Sequence, residues 1–244
     1  SFDAYFAVFP WELLPDKAVG FDLGCGSGRW AKLMAPRVAE LHCIDPSEEA
    51  LRVARKNLAA HANCRFHLAG VDNIPLPDSS MDFGYALGVL HHVPHPTEGI
   101  RSCVAKLKSG APLLLYLYYA FDNKPPWFKA LWKISDYLRR LLSRSPFPVK
   151  YLASQLIAAF IYYPLAKAAS VVERLGGNVG NMPLSNYKDK CFYTMRTDAL
   201  DRFGTRLERR FTKKQIEEMM LTAGLIDIRF GERPPYWCAV GIKA

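Results

Sequence analysis

The stretch Asp22-Leu23-Gly24-Cys25-Gly26-Ser27-Gly28 sets a carboxylate two residues ahead of three glycines at alternate positions. Placed where a strand gives way to a helix, such a loop offers backbone N–H groups to a ligand at the helix N-terminus. A tight turn needing positive φ accounts well for one glycine and less well for three. The dinucleotide pattern GxGxxG, counted from Gly24, requires glycine at position 29, and Arg29 stands there, which disfavours NAD and FAD. Asp22 points the same way, because a carboxylate at a strand end repels a pyrophosphate but suits a ligand bearing an ammonium and a sulfonium. Asp45, 21 positions after Gly24 and at the end of LHCI, is placed to accept hydrogen bonds from two ribose hydroxyls. Asp72, in Gly70-Val71-Asp72-Asn73, can receive the exocyclic amine of an adenine. Each acidic residue taken alone is as well explained by a helix cap or a turn. Together, in this order along one sheet edge, they match one ligand.

The elements that must hold these residues are legible in the pattern. From Ala18 to about Tyr118, short β-rich runs (AVGFDL, LHCI, CRFHLA, MDFGYALG, APLLLYLYY) alternate with helical stretches (RWAKLMA, SEEALRVARKNLAAH, PTEGIRSCVAKLK). That rhythm predicts a parallel sheet wrapped by helices. Ser47 reads as an N-cap, and LKSGAP as a helix stop before the next strand. FTKKQIEEMMLTAGL has a capping-box start at Thr212 and Gln215 and leads to LIDIRF and PYWCAVGIK, two β-rich runs close enough to pair antiparallel. No internal repeat is present.

FDLGCGSG, CIDPS, AGVDNIPLPDSSMDFGYALGVLHHV and FTKKQIEEMMLTAGL resemble the class I S-adenosylmethionine-dependent methyltransferases, and within them the ubiquinone/menaquinone-biosynthesis type (methyltransferase type 11). The resemblance covers roughly residues 18–120 and 205–244. It implies an α/β, Rossmann-like, seven-stranded, mostly parallel sheet with an antiparallel last strand and a helical lid insertion. It implies S-adenosylmethionine as cofactor, with S-adenosylhomocysteine as product. Carried over by position, Asp22 and the loop Gly24, Cys25, Gly26 and Gly28 would hold the methionine part, and Asp45 with Pro46 the ribose. Val71 and Asp72 would flank the adenine, with Leu87 and Gly88 along the methionyl chain. The divisions expected are an N-terminal segment 1–17, a cofactor-binding core 18–120, a helical insertion 121–204 and a C-terminal part of the core 205–244.

Methyl transfer from a sulfonium is an in-line displacement, so the protein must chiefly dry the site and align the reactants, and a dedicated base is optional. His91 and His92 are the candidates for one. Adjacent residues at a strand-to-helix turn point in different directions, so one at most faces an acceptor; His91 is the better candidate, and His92 reads better as a hydrogen-bonded packing residue. His95 before Pro96 reads as loop. The Asp/Asn-Pro-Pro-Tyr/Phe loop that grips a flipped base is absent after the fourth strand, where Ala86 to His92 stand; the Pro-Pro-Tyr at 234–236 precedes the last strand and follows no acidic residue.

Residues 121–200 break the alternation. In WFKALWKISDYLRRLLSR the apolar Trp127, Leu131, Ile134, Leu138 and Leu141 fall at helical spacing, with Lys129, Lys133, Arg140 and Arg144 largely off that stripe. The plainest expectation is a lid whose stripes pack on the core. Contact with an anionic membrane, admitting a lipid-like acceptor, and a homodimer surface are the alternatives. The following YLASQLIAAFIYYPLAKAA is more apolar, but Ser154, Gln155 and Pro164 interrupt it, and the expectation is that it does not cross a bilayer. The aromatics and cations Tyr187, Lys188, Phe192, Tyr193, Arg196 and Arg202 suit either an acceptor pocket for an anionic group or ordinary surface.

With 244 residues, half of them hydrophobic, the chain buries a sizeable core, which excludes a disordered architecture. The net charge of +9 is uneven: 11 basic and 12 acidic side chains in residues 1–120, 12 and 5 in 121–200, 9 and 6 in 201–244. The partner expected is a small-molecule acceptor, apolar, anionic or glycosylated, with nucleic acid disfavoured; an RNA or protein methyltransferase and a non-catalytic nucleoside-binding scaffold are the alternatives. Six cysteines without a CxxC pair or Cys/His cluster predict reduced thiols, no structural metal and a cytoplasmic setting, with association at the inner membrane surface left open. The opening residues lack the pattern of a signal peptide, and Ser1 in place of Met suggests that further residues precede it. Phe2, Tyr5, Phe6 and Trp11 are candidates for a second lid element.

Overall fold

The computed structural model describes residues 2–204 and 209–244. The expected boundary between insertion and C-terminal core, at 204/205, abuts residues 205–208, which lie outside the described residues, as does Ser1. Two compact units are present among the described residues, 2–120 with 209–244, and 121–204.

The first unit is built on seven strands: β1 Val19–Leu23, β2 Glu40–Asp45, β3 Cys64–Leu68, β4 Phe83–Leu87, β5 Pro112–Tyr116, β6 Leu225–Phe230 and β7 Cys238–Lys243. Their order across the sheet is β3-β2-β1-β4-β5-β7-β6. β1 to β5 pair in parallel, and β7 runs antiparallel to both β5 and β6. The alternation of strand and helix up to residue 120 forces the parallel part, because each parallel neighbour needs a crossover. The short β6–β7 connection forces the antiparallel end. Helices α1 Phe2–Tyr5, α2 Ala31–Met34, α3 Glu48–Asn57 and α4 Pro96–Lys106 accompany the first strands. The run RWAKLMA yields only the four-residue α2 followed by a 3-10 turn at Ala35–Arg37, where Pro36 enters.

β1 and β4 are buried along nearly their whole length, and the two apolar clusters that include Phe21, Ile44, Leu90 and Leu113 on one side and Phe83, Tyr85, Met34 and Leu51 on the other form the core. Phe2, Phe6 and Phe9 belong to the second cluster, so the N-terminal segment packs as part of this unit. Ser47 caps α3, accepting from the Ala50 N–H at 3.2 Å. The last helix of this unit, which follows the second unit in the chain, is opened by Thr212 and Gln215 in a reciprocal capping box. Thr212→Ala is expected to cost about 1 kcal/mol, read as a lowered midpoint in urea.

The second unit contains α5 Pro126–Leu142, α6 Phe147–Ile157, α7 Tyr163–Arg174 and α8 Phe192–Gly204; α9 Lys213–Thr222 then returns the chain to the first. A π-helical segment, Ala158–Tyr162, joins α6 to α7 without a break, giving one helix from Phe147 to Arg174. The expectation that Ser154, Gln155 and Pro164 leave this apolar stretch too short for a span is therefore corrected. Ser154 hydrogen-bonds the Tyr151 carbonyl at 2.7 Å, and Pro164 sits just past the π turn, where the wider coil accommodates its missing N–H. The helix is long and apolar enough to cross a membrane by length and composition. One face of it, with Ala158, Tyr162 and Ala166, packs with Met195, Ala199 and Phe203 of α8.

A second correction concerns α5. The stripe expected to pack inward is exposed: Trp127, Leu131, Ile134, Leu138 and Leu141 all lie at the surface. The buried side chains of α5 are Asp136 and Arg139, joined at 2.7 Å, with Arg140 on the second Asp136 oxygen at 2.9 Å. A carboxylate and guanidinium that satisfy one another can be buried, so apolar spacing alone does not say which face turns inward.

Candidate functional site

Strand order reverses between β1 and β4, and the loops leaving the C-terminal ends of parallel strands on either side of such a point form a crevice suited to a ligand. The candidate residues gather on this edge. Asp72 follows β3, Asp45 ends β2, the glycine loop follows β1, and Leu87 and Gly88 close β4. β-Pairing sets Asp22 beside Cys43 and Tyr85, and Asp45 beside Leu68.

The loop is tied to β2 by its backbone. The N–H groups of Gly24 and Cys25 both bond the Ile44 carbonyl, at 2.7 and 3.1 Å, and the Gly26 N–H bonds Asp45 Oδ2 at 2.9 Å. Asp45 Oδ1 accepts from the Ser47 N–H at 2.9 Å. A carboxylate has about four acceptor sites, so two remain for hydroxyls. The three loop glycines divide by surroundings. A side chain at Gly24 would meet Val89 Cγ2 at 2.3 Å and one at Gly28 would meet Leu58 Cδ1 at 2.8 Å, whereas Gly26 and Gly88 face nothing within 4 Å. Gly24 and Gly28 are thus glycines because protein is close, and Gly26 and Gly88 open onto space.

Asp22 is the electrostatic centre of this edge. It is buried, its Oδ2 lacks a hydrogen-bond partner, and burial pushes its carboxyl up to about 8, with the Tyr85 hydroxyl pulling it down and the Asp45 charge adding to the rise. An orphaned carboxylate oxygen next to open glycine positions fits a ligand that brings positive charge. By this test the residues present suit the S-adenosylmethionine that the sequence resemblance implies.

The other expected residues are less centred. Cys25 and Leu87 are buried in the core cluster, Val71 is half-buried against the other cluster, and Pro46 and Asp72 are exposed at the rim. Among the described residues no group of three or more His, Cys, Asp or Glu is arranged for a metal.

His91 and His92 lie in a 3-10 turn, Leu90–His92, directly after β4. His91 is fully buried, stacks on Tyr118 with ring centroids 3.7 Å apart, and has both ring nitrogens buried without a hydrogen-bond partner. Burial, then His92 and Arg210, lower its pKa to about 2, so the ring is neutral at any ordinary pH. His92 is partly exposed, with its N–H bonded to the Val89 carbonyl at 2.9 Å.

Sequence reasoning passed over the aromatic group at the end of β5. Tyr116 packs edge-on against Tyr5, which lies against Trp30; Tyr118 carries His91 on its face and Arg210 at 5.2 Å. The chain returning at Arg209–Phe211 fastens this group: Arg209 N–H to His91 O at 3.2 Å, and Phe211 N–H to Tyr118 O at 2.8 Å. The repeated tyrosines of LYLYY were the one available signal, and they read equally well as strand core.

The topology defines a Rossmann-like α/β unit. Residues 21–115 match the family profile described as Methyltransferase domain. The chain is 32% identical over 135 residues to a ubiquinone biosynthesis O-methyltransferase of Xanthomonas axonopodis pv. citri, covering 54% of this chain and 55% of that one. It thus spans about half the length of the curated relatives it matches. Among solved structures, a SAM-dependent methyltransferase of Thermotoga maritima aligns with a TM-score of 0.50 at 14% identity over 100% of this chain and 90% of that one. The YcgJ protein of Bacillus subtilis aligns with a TM-score of 0.52 at 17% identity, covering 100% and 99%. These likenesses show a shared Rossmann-like α/β fold.

Proposed function

We propose that this protein is an S-adenosylmethionine-dependent methyltransferase that methylates a hydroxyl of a small, largely apolar acceptor. The observation that carries the reading is the buried, unpartnered Asp22 oxygen on the same strand edge as the open positions at Gly26 and Gly88. When bound, the cofactor supplies a methyl group on a positively charged sulfur. Asp22 balances that charge, Asp45 fixes the ribose, and the glycine loop lets the backbone approach. The aromatic group of Tyr5, Trp30, Tyr116 and Tyr118 supports an apolar acceptor, since rings offer stacking area and exclude water. The O-methyltransferase activity named for the Xanthomonas relative supports a hydroxyl as the accepting group.

His91 is a positioning group in this reading rather than a base at rest. An unpaired ring nitrogen is the atom that the acceptor's O–H would satisfy, setting the lone pair of that oxygen in line; both nitrogens are buried in the ligand-free protein, so this requires the turn Leu90–His92 to open. Once oxygen gains a methyl group it becomes strongly acidic, and then even a weakly basic imidazole or water takes its proton. It follows that kcat has no inflection near pH 6–7 arising from His91. His91→Phe keeps the stack on Tyr118 and removes two unpaired nitrogens; its expected effect is an unchanged or raised Tm, unchanged donor affinity, and kcat lower by about ten- to a hundredfold.

The direct test is incubation of purified protein with methyl-labelled donor and a panel of hydroxylated aromatics and polyprenylated phenols, with mass spectrometry of the products. A labelled ether supports the reading. Donor binding without transfer to any acceptor, or label recovered in RNA or protein from an extract, refutes it.

A further inference from the structure

Of the 25 large hydrophobic side chains exposed among the described residues, 18 belong to residues 121–204. They are concentrated on two helices. On α5 the exposed set is Trp127, Leu131, Ile134, Leu138 and Leu141, with Tyr137 beside them. On the helix Phe147–Arg174 it includes Leu152, Leu156, Phe160 and Ile161, outside the buried face that packs on α8. An exposed apolar stripe with an internally neutralised polar face is the reverse of a soluble amphipathic helix, and contiguous exposed patches on this scale mark a docking surface.

Charge identifies what docks. Residues 121–174 carry nine Lys and Arg against three Asp and Glu, and one of those three, Asp136, is consumed by Arg139 and Arg140. Lys133 is exposed one turn from Tyr137, at the margin of the stripe, and exposed Arg144 follows the end of α5. A second copy of this chain would bring the same positive charge against itself. An anionic lipid surface takes both features at once, accepting the apolar side chains among its acyl chains and the cations among its headgroups.

The long helix lies in the plane of such a surface and does not pass through it. Its inner face is occupied by α8, which carries Arg196, Asp198, Asp201 and Arg202, with Asp198 accepting from the Tyr187 hydroxyl at 2.9 Å and Arg202 donating to Ser135 at 2.7 Å. A span would bring these charges into hydrocarbon, where each is costly. We infer that residues 121–174 form an in-plane docking face for anionic lipid bilayers, with α5 and the outer side of Phe147–Arg174 as the inserted surface.

The test is flotation of the full chain with vesicles of phosphatidylcholine alone or with phosphatidylglycerol added. Binding is expected to be at least about tenfold stronger to the mixed vesicles, to weaken with salt, and to be removed by an alkaline carbonate wash. The double substitution Lys133→Glu, Arg144→Glu is expected to weaken it by about tenfold or more. Ile134→Asp with Leu138→Asp is expected to abolish it, while circular dichroism and Tm stay unchanged because both side chains are exposed.

The inference is overturned by absence of vesicle binding, by binding indifferent to both double variants, or by carbonate-resistant insertion. It is equally overturned if the Asp pair abolishes a dimer seen by light scattering and leaves vesicle binding intact, or if RNA displaces the vesicles. Donor binding, followed by calorimetry without vesicles, is expected to be unaltered by either double variant, so failure of docking and failure of the methyl-transfer reading are separate results.

Discussion

Replacing Asp22 with Asn is expected to stabilise the ligand-free protein and to weaken binding of S-adenosylmethionine by roughly two orders of magnitude, the loss typical of removing one partner of a buried charge pair. Burial holds this carboxyl neutral up to about pH 8, against 3.8 for an ordinary aspartate. A group whose folded pKa is raised contributes stability that is complete below its unfolded pKa and lost as pH rises through its folded one. Asp22 therefore makes the ligand-free protein progressively less stable between about pH 4 and pH 8, by an amount of order a few kcal/mol. Asn removes this dependence. Scanning fluorimetry across that range should show the variant pulling ahead of the wild type as pH rises, by several degrees at the upper end.

The same proton is linked to donor binding. A cationic ligand selects the ionised carboxylate, so below pH 8 binding must release the proton, and affinity should fall by about tenfold per pH unit. Calorimetry at pH 7 in buffers of different ionisation enthalpy should report close to one proton released for the wild type and none for Asp22→Asn. Equal affinity in the two proteins, or affinity flat between pH 6 and 8, would remove Asp22 from the site.

Gly24→Ala and Gly26→Ala are expected to fail in different ways. Both positions have positive φ, +72° and +54°, which costs any other residue about 1–2 kcal/mol. At Gly24 the added methyl group also overlaps Val89 at 2.3 Å, and overpacking brings the total to about 3 kcal/mol or more. The expected result is a marked loss of Tm, partly restored by Val89→Ala. At Gly26 the methyl group meets no protein atom, so Tm falls by little more than the backbone cost. The methyl group then stands in the space through which the donor approaches the backbone, and affinity is expected to drop roughly tenfold or more. If Gly26→Ala binds donor as tightly as the wild type, that open space is not where the ligand lies.

Local rules carry a reading of the core because they act over a few residues. Ser47 and Thr212 cap where their spacing says they cap, and alternating strands and helices admit few arrangements other than a parallel sheet. The order Asp22, Asp45, Asp72 then lines one edge of that sheet by topology alone.

What the local pattern does not contain is which neighbour each side chain meets. Gly24, Gly26 and Gly28 are identical in the sequence, and only Val89 and Leu58, brought from elsewhere in the chain, separate the packed glycines from the open one. Two adjacent histidines likewise look alike until Tyr118 and Arg210 enclose one of them. The apolar stripe of α5 carries the signature of a core helix, but Asp136 and Arg139 neutralise one another on the opposite face and take the interior instead. Periodicity along the chain thus determined the sheet, its ligand edge and the ordering of the acidic residues upon it. The environment of each group, and with it the inward or outward sense of every amphipathic face, was decided by contacts between segments distant in sequence, because burial energy depends on all the partners a side chain finds.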